Sequence, residues 1–340
     1  MKKSLVALAV LASSAGFASA QTSSVTLFGV VDLAARYTKA NGKNVKQLSN
    51  DGSSSSRLGV RGVEDLGGGL KAGFWLESAL SADTGTTDAT RFWGRRATVS
   101  LMGDFGEARL GRGKTSTRLV IDDFDVYSTT GLGDVTRVYS LLGSAADNIN
   151  RSDNQAQYFL PSTLGGVYGS AEVAAGEGID GKKSIGGRIG YKAGAFNVAG
   201  GYQSTNARGN KFKLGSLGGS YDFGFAKFNL LMSQTKFAAL KQTIITVGAV
   251  VPVSTSGFFT AQFSNASTNN AADAVAATSG DAKFYTVGYQ YNLSKRTALY
   301  STLSLVDNSG RAAFRVQTNA VTAVAGGRSG GADVGLKHSF

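Results

Sequence analysis

The stretch Leu70-Lys71-Ala72-Gly73-Phe74-Trp75-Leu76-Glu77-Ser78-Ala79-Leu80 alternates with a period of two. Leu70, Ala72, Phe74, Leu76 and Leu80 share one face, with Ser78 its only polar member. Lys71, Trp75 and Glu77 share the other. Side chains of a strand project alternately to opposite sides, so this is a β-strand with one apolar and one polar face. The same period recurs along the chain. In Val25–Tyr37, Val25, Leu27, Val31, Leu33, Ala35 and Tyr37 oppose Thr26, Asp32 and Arg36, which lie with Phe28 and Val30. Arg57, Gly59 and Arg61 oppose Leu58 and Val60. Tyr285, Val287, Tyr289, Tyr291 and Leu293 oppose Thr286, Gln290 and Asn292.

Alternation suits a soluble sandwich, whose apolar face meets a second sheet, as well as a membrane barrel, whose apolar face meets lipid. Three features favour the barrel. The strand-like segments run about nine to eleven residues, the length a tilted strand needs to cross a bilayer. Aromatics gather near segment ends, as in Phe223-Gly224-Phe225 and Phe284-Tyr285. The chain closes on Val334, Leu336, His338 and Phe340, alternating to a terminal aromatic.

Composition agrees. Of 340 residues only Pro161 and Pro252 are proline, against roughly 5% in ordinary chains. Proline lacks the ladder donor, so its scarcity suits a chain that is mostly paired strand. Cysteine is absent and glycine numbers 46. The richest apolar segment after the N-terminus, Ile244 to Val253, is interrupted by Thr246, Gly248 and Pro252, which excludes a helical membrane protein.

The N-terminus reads as a secretory signal: Lys2 and Lys3, an apolar run from Leu5 to Leu11, then Ala18-Ser19-Ala20 before Gln21. The expected domains are a cleaved signal at 1–20 and one barrel at 21–340. Removing Lys2 and Lys3 from the 35 basic residues leaves 33 against 23 acidic, a formal net charge of +10. Export makes nucleic acid an unsuitable partner. The dispersed basic residues point to anionic lipid or anionic solutes.

Connections are of two sorts. Short glycine-rich ones occur at 64–69, 103–106, 161–166, 192–195 and 222–224. Long polar ones are expected at 39–55, 81–90, 113–151, 265–281 and 307–328. They roughly alternate, as short periplasmic turns alternate with long external loops in a barrel. At about twenty residues per strand and connection, the mature chain accommodates roughly sixteen strands.

Catalysis has little to work with. The only histidine, His338, lies two residues from the end. Gly106 to Lys114 lacks the Gly-Lys-Ser/Thr ending of a phosphate loop. No Cys-His metal spacing occurs, and the loop aspartates lack the glycine pattern of a calcium loop. No enzyme activity, metal or cofactor is expected.

Five segments resemble the trimeric general porins of Gram-negative bacteria, in particular their anion-selective β-proteobacterial branch. They are Ser24–Asp32, Ser56–Ala72 (the most specific), Phe105-Gly106 with Leu110-Gly111-Arg112, Tyr291–Tyr300, and Gly335–Phe340. The resemblance implies an all-β, transmembrane antiparallel barrel of sixteen strands, a homotrimer in the outer membrane, and a third external loop folded into the lumen within Gly113 to Arg151. It implies a basic wall, matched here by Arg57, Arg95 and Arg151. Glu77 matches an acidic wall position, and the loop carries Asp122, Asp123, Asp125 and Asp134. Phe340 matches the assembly signal read by the barrel-assembly machinery. Strict alternation selects Arg96 for the lumen, whereas the resemblance selects Arg95; the resemblance is followed here. The loop has Gly131-Leu132-Gly133 in place of the Pro-Glu-Phe-Gly of some relatives. The implied function is passive diffusion of small polar solutes with a preference for anions. Other readings are a porin selective for phosphate or small organic acids, a barrel adhesin or receptor, and a soluble exported lectin. Lipopolysaccharide is an expected neighbour.

Overall fold

The computed structural model describes residues 24–275, 280–317 and 322–340; the expected signal at 1–20 lies outside them. Eighteen strand segments form one sheet. They are β1 (Ser24–Ala40), β2 (Lys43–Asn50), β3 (Arg57–Gly67), β4 (Leu70–Ser81), β5 (Thr86–Thr87), β6 (Arg96–Gly103), β7 (Gly106–Lys114), β8 (Arg151–Phe159), β9 (Val167–Ala174), β10 (Ser184–Ala193), β11 (Phe196–Ala207), β12 (Asn210–Asp222), β13 (Lys227–Phe237), β14 (Leu240–Pro252), β15 (Gly257–Thr268), β16 (Ala282–Asn292), β17 (Thr297–Asn308) and β18 (Arg328–Ser339). Every pairing is antiparallel, and β1 closes the sheet against β18 from Val30–Ser339 to Ala40–Ser329. Closure leaves no edge to be satisfied in lipid.

The eighteen segments occupy sixteen barrel positions. β2 and β3 are two collinear pieces of one strand, since both pair with β1, Asn50 opposite Leu33 and Arg57 opposite Val30. Between them, residues 51–56 leave the ladder. β5 and β6 likewise share the far side of β4. The expected long loop at 39–55 is therefore corrected. Most of it is a hairpin, turned at Asn41-Gly42 with both residues at positive φ, and only 51–56 is irregular. The polar residues there misled because an alternating strand can carry Lys43, Lys46 and Gln47 at the rim of a barrel, where water is near. A further external connection, from Ala174 to Ser184, went unanticipated.

The outward face is the apolar one. Val25, Leu27, Val99, Leu217, Leu230, Ile245, Val287, Leu303 and Val334 are exposed, whereas Asp32, Thr38, Gln203, Thr246 and Ser264 are buried inside. Exposed aromatics gather at the turn between β12 and β13, where Phe223 packs on Tyr221, Phe225 and Phe228. Such rings suit the bilayer interface. Phe284 departs from the expected aromatic end: it is buried inside, and only Tyr285 faces out.

The core lies within the barrel. The segment after β7 enters the lumen as helix α1 (Ser116–Phe124), followed by two short 3-10 turns, Gly131–Gly133 and Val135–Val138. Val120, Ile121, Phe124, Leu132, Val135 and Val138 pack on inward-facing Phe212, Leu214, Leu231, Ile244, Phe284 and Val306. These wall positions are apolar because the loop covers them. Gly201, Gly218 and Gly248 face the same loop; a side chain there would meet Val120, Phe124 and Val126. Close approach of α1 to the wall therefore needs glycine.

Candidate functional site: a basic constriction

The loop packs mainly on the wall from β9 to β13 and from β16 to β18. On the side of β3 to β8 a recess remains, lined by Arg57, Glu77, Arg95, Arg96, Arg109, Arg151 and, at the end of β7, Lys114, with Leu119 on the loop side.

Glu77 organises the wall. Its carboxylate accepts from Arg95 Nε at 2.5 Å and from Trp75 Nε1 at 3.1 Å. Arg57 Nε stands 3.9 Å from the same carboxylate. Arg57 also donates to the Ser55 carbonyl at 3.2 Å. Arg95 precedes the first residue of β6, so strand alternation does not govern it. Its backbone N–H bonds the Glu77 carbonyl at 3.1 Å, and its side chain turns inward. Arg96, the first residue of β6, pairs with Glu77 across the ladder and so shares its face. Its Nε donates to Thr98 at 2.9 Å and its guanidinium lies 4.4 Å from the Trp75 ring centre. The choice between Arg95 and Arg96 thus has a simple resolution: the structure brings both to the recess. Arg109 was passed over by sequence reasoning, although alternation with Ala108 and Leu110 marks it. It is held by Glu107 at 2.8 Å and lies over the Phe159 ring.

Residues 51–56 hold Arg57 in place. Asp32, fully buried, accepts from the backbone N–H groups of Gly52, Ser53 and Ser54 at 3.1, 2.9 and 2.6 Å, and from the Tyr300 hydroxyl. This pins the break in the strand against the inner wall, and β3 restarts at Arg57.

Helix α1 is anchored at its start. Thr115 caps it by accepting from the Arg118 N–H at 3.3 Å. Buried Glu172 of β9 accepts from the Ser116 N–H at 2.8 Å, from the Ser116 hydroxyl, and from Gln157 Nε2 at 3.1 Å. A carboxylate at a helix N-terminus also satisfies its exposed dipole.

The four loop aspartates have other partners. Asp122 bonds Lys114 at 2.5 Å and Arg118 at 2.8 Å, and accepts from Thr129. Burial raises its affinity for a proton, yet the attraction of Arg118 and Lys114 prevails and holds it below the usual carboxylate range. Asp123 pairs with Arg188 of β10 at 2.8 Å. Asp125 is buried and accepts from the N–H groups of Tyr127, Thr129 and Val135; burial, then neighbouring Asp134, push it up to about 7. Asp134 caps the 3-10 turn at Thr136. The structure thus brings Arg57, Glu77, Arg95 and Arg151 together, whereas Asp123, Asp125 and Asp134 are bonded to other groups. Among the described residues no three His, Cys, Asp or Glu side chains converge as a metal site would require.

Comparisons with known proteins agree with this architecture. The family model described as Gram-negative porin matches residues 7–311. Outer membrane porin protein 32 of Delftia acidovorans is 38% identical over 367 aligned residues, covering the whole of both chains. An outer membrane porin protein of Bordetella pertussis is 29% identical over 408 aligned residues, again covering the whole of both chains. Among solved structures, the anion-selective porin from Comamonas acidovorans superposes with a TM-score of 0.81 at 36% identity, covering 94% of this chain and 100% of that one. The chain belongs to the Gram-negative porin family, a sixteen-stranded outer-membrane barrel for passive diffusion of small polar solutes.

Proposed function

We propose that this porin prefers anions, and that the recess lined by Arg57, Arg95, Arg96, Arg109, Lys114 and Arg151 is its selectivity filter. The observation that carries this is the imbalance of fixed charge: six cationic side chains meet one carboxylate side chain, Glu77, in the lining. Asp122 offsets Lys114 and Glu107 offsets Arg109, whereas Asp123, Asp125 and Asp134 are bonded elsewhere, so the excess that remains is Arg57, Arg95, Arg96 and Arg151 against Glu77. A guanidinium within about 4 Å of a monovalent ion changes its energy by about 1 kcal/mol even at the dielectric of water. Several in a narrow neck attract anions and repel cations without any covalent step. The relative from Comamonas acidovorans is named anion-selective, which supports the same direction.

The mature protein begins after the signal at 1–20, assembles as a homotrimer amid lipopolysaccharide, and is recognised by the barrel-assembly machinery through Phe340. Phe340 completes the closure of the barrel, exchanging two 3.0 Å backbone bonds with Gly29. It needs no cofactor and catalyses no reaction. The deciding experiment is reconstitution in a planar bilayer under a salt gradient. A reversal potential on the anion side supports the filter. A cation-side potential overturns it, and a lack of current steps overturns the open pore.

A further inference from the structure

We propose that Lys213, Lys236 and Lys241, on the outside of the barrel, dock the phosphorylated sugar head of an outer-leaflet lipid of the lipopolysaccharide class. The proposal rests on the outer-membrane placement and gives the lipid a site. Phe212 and Leu214 of β12 are buried inside, so Lys213 between them faces out. The ladder places Lys213 opposite Lys236, and Lys236 opposite Lys241. All three are exposed, and Lys211 lies on the same face two residues nearer the external end. Three ammonium groups therefore stand in one row across β12, β13 and β14.

Like charges directly opposite one another weaken a sheet, and neighbours on this face do not relieve them. The only carboxylate in β11 to β15 is Asp222, at the periplasmic end of β12. The row borders the short external turns after β11 and β13. Four residues inward on the same face lies an apolar row, Leu217, Met232 and Ile245, itself in register. Four residues of strand span about 14 Å, less in depth once the strand tilts. A basic band above an apolar band is the order in which a lipid presents anionic head and acyl chains. Below it the apolar surface continues as a groove between Val247, Phe263, Tyr285, Val287 and Leu305.

The row crosses two inter-strand gaps, about 10 Å. That span suits a head with separated phosphates better than one free phosphate ion. A second copy of the chain would meet the row only with an acidic face.

The test uses the full protein in detergent and native mass spectrometry. Bisphosphorylated lipid A, its dephosphorylated analogue and inorganic phosphate are the probes. The variant is Lys213→Gln with Lys236→Gln and Lys241→Gln, with Lys236→Gln alone as a milder form. Lys192→Gln, at the periplasmic end, is the control. The native protein and Lys192→Gln should retain lipid A. The triple variant should bind it at least about tenfold more weakly, and Lys236→Gln should fall between. Inorganic phosphate should not displace the lipid. Equal retention by native and triple variant, or equal retention of lipid A and its dephosphorylated analogue, overturns the proposal. Bilayer currents separate it from the channel reading: the lysines face away from the lumen, so conductance and reversal potential should match the native. Native protein that conducts but does not retain lipid A removes only the docking row. Protein that retains lipid A but does not conduct removes only the pore.

Discussion

Arg151 Nε donates a 2.8 Å hydrogen bond to the backbone carbonyl of Arg95. One arginine of the constriction therefore fixes the backbone of another, just where Arg95 turns its side chain to Glu77. Arg151 both supplies charge and holds its neighbour.

Arg151→Ala should accordingly reduce anion preference more than Arg57→Ala. Removing one charge near the ion path is worth roughly a fivefold change in partition. The reversal potential of Arg57→Ala should move toward zero by that order, and that of Arg151→Ala further. Equal shifts would show that the bond to the Arg95 carbonyl is without consequence.

Glu77→Gln should act in the opposite direction. The variant removes the only carboxylate side chain in the lining and frees Arg95 and Arg57 from it. Anion preference should rise, again by about fivefold. A fall in the measured permeability ratio would mean that Glu77 matters chiefly by holding the arginines in place.

Selectivity should decline with salt. The screening length shrinks from about 10 Å at 0.1 M to about 3 Å at 1 M. Reversal potentials at a fixed concentration ratio should therefore report weaker anion preference at the higher mean concentration. A salt-independent ratio would point to size exclusion.

Asp32→Ala should destabilise the barrel. It removes the acceptor of the buried Gly52 N–H, of the half-buried Ser53 and Ser54 N–H groups and of the Tyr300 hydroxyl at the strand break. Hydrogen bonds to a charged group contribute about 1.5–3 kcal/mol each; water can replace the acceptor at half-buried Ser53 and Ser54, so the two buried bonds, from Gly52 and Tyr300, set an expected loss of at least about 3 kcal/mol. The midpoint of urea unfolding, followed by tryptophan fluorescence in detergent, measures it. Noisier single-channel currents should accompany the change, since 51–56 leads into Arg57.

Gly218→Val should narrow the pore. A side chain at 218 enters the space of Phe124, and overpacking of this kind costs about 1–3 kcal/mol. Helix α1 can relieve it only by moving away from β12, toward the arginine wall. Single-channel conductance should fall while the barrel stays folded. An unchanged conductance would place the adjustment elsewhere.

Much of the architecture was legible in the residues. Alternation in Val25–Tyr37 and Leu70–Leu80 assigned both faces, because a strand offers only two sides and lipid and water demand opposite residue types. The irregular segment at 51–56 was not legible. It depends on a buried Asp32 whose partners lie twenty residues on and, in Tyr300, on a distant strand. Alternation alone also missed Arg95, which only the resemblance selected, since its orientation turns on the strand beginning one residue later.

The sequence by itself determined an exported alternating chain, the identity of its lipid-facing and inner rows, and the basic residues available to the lumen. These follow from local periodicity and composition. The tertiary structure alone decided which charges meet. Asp122, Asp123, Asp125 and Asp134 are neighbours along the chain, yet each takes a different set of partners once α1 folds against the wall. Lys213, Lys236 and Lys241 are scattered along the chain, yet the register sets them side by side. Electrostatic interaction falls with distance in space, and only closure of the barrel and seating of the loop set those distances.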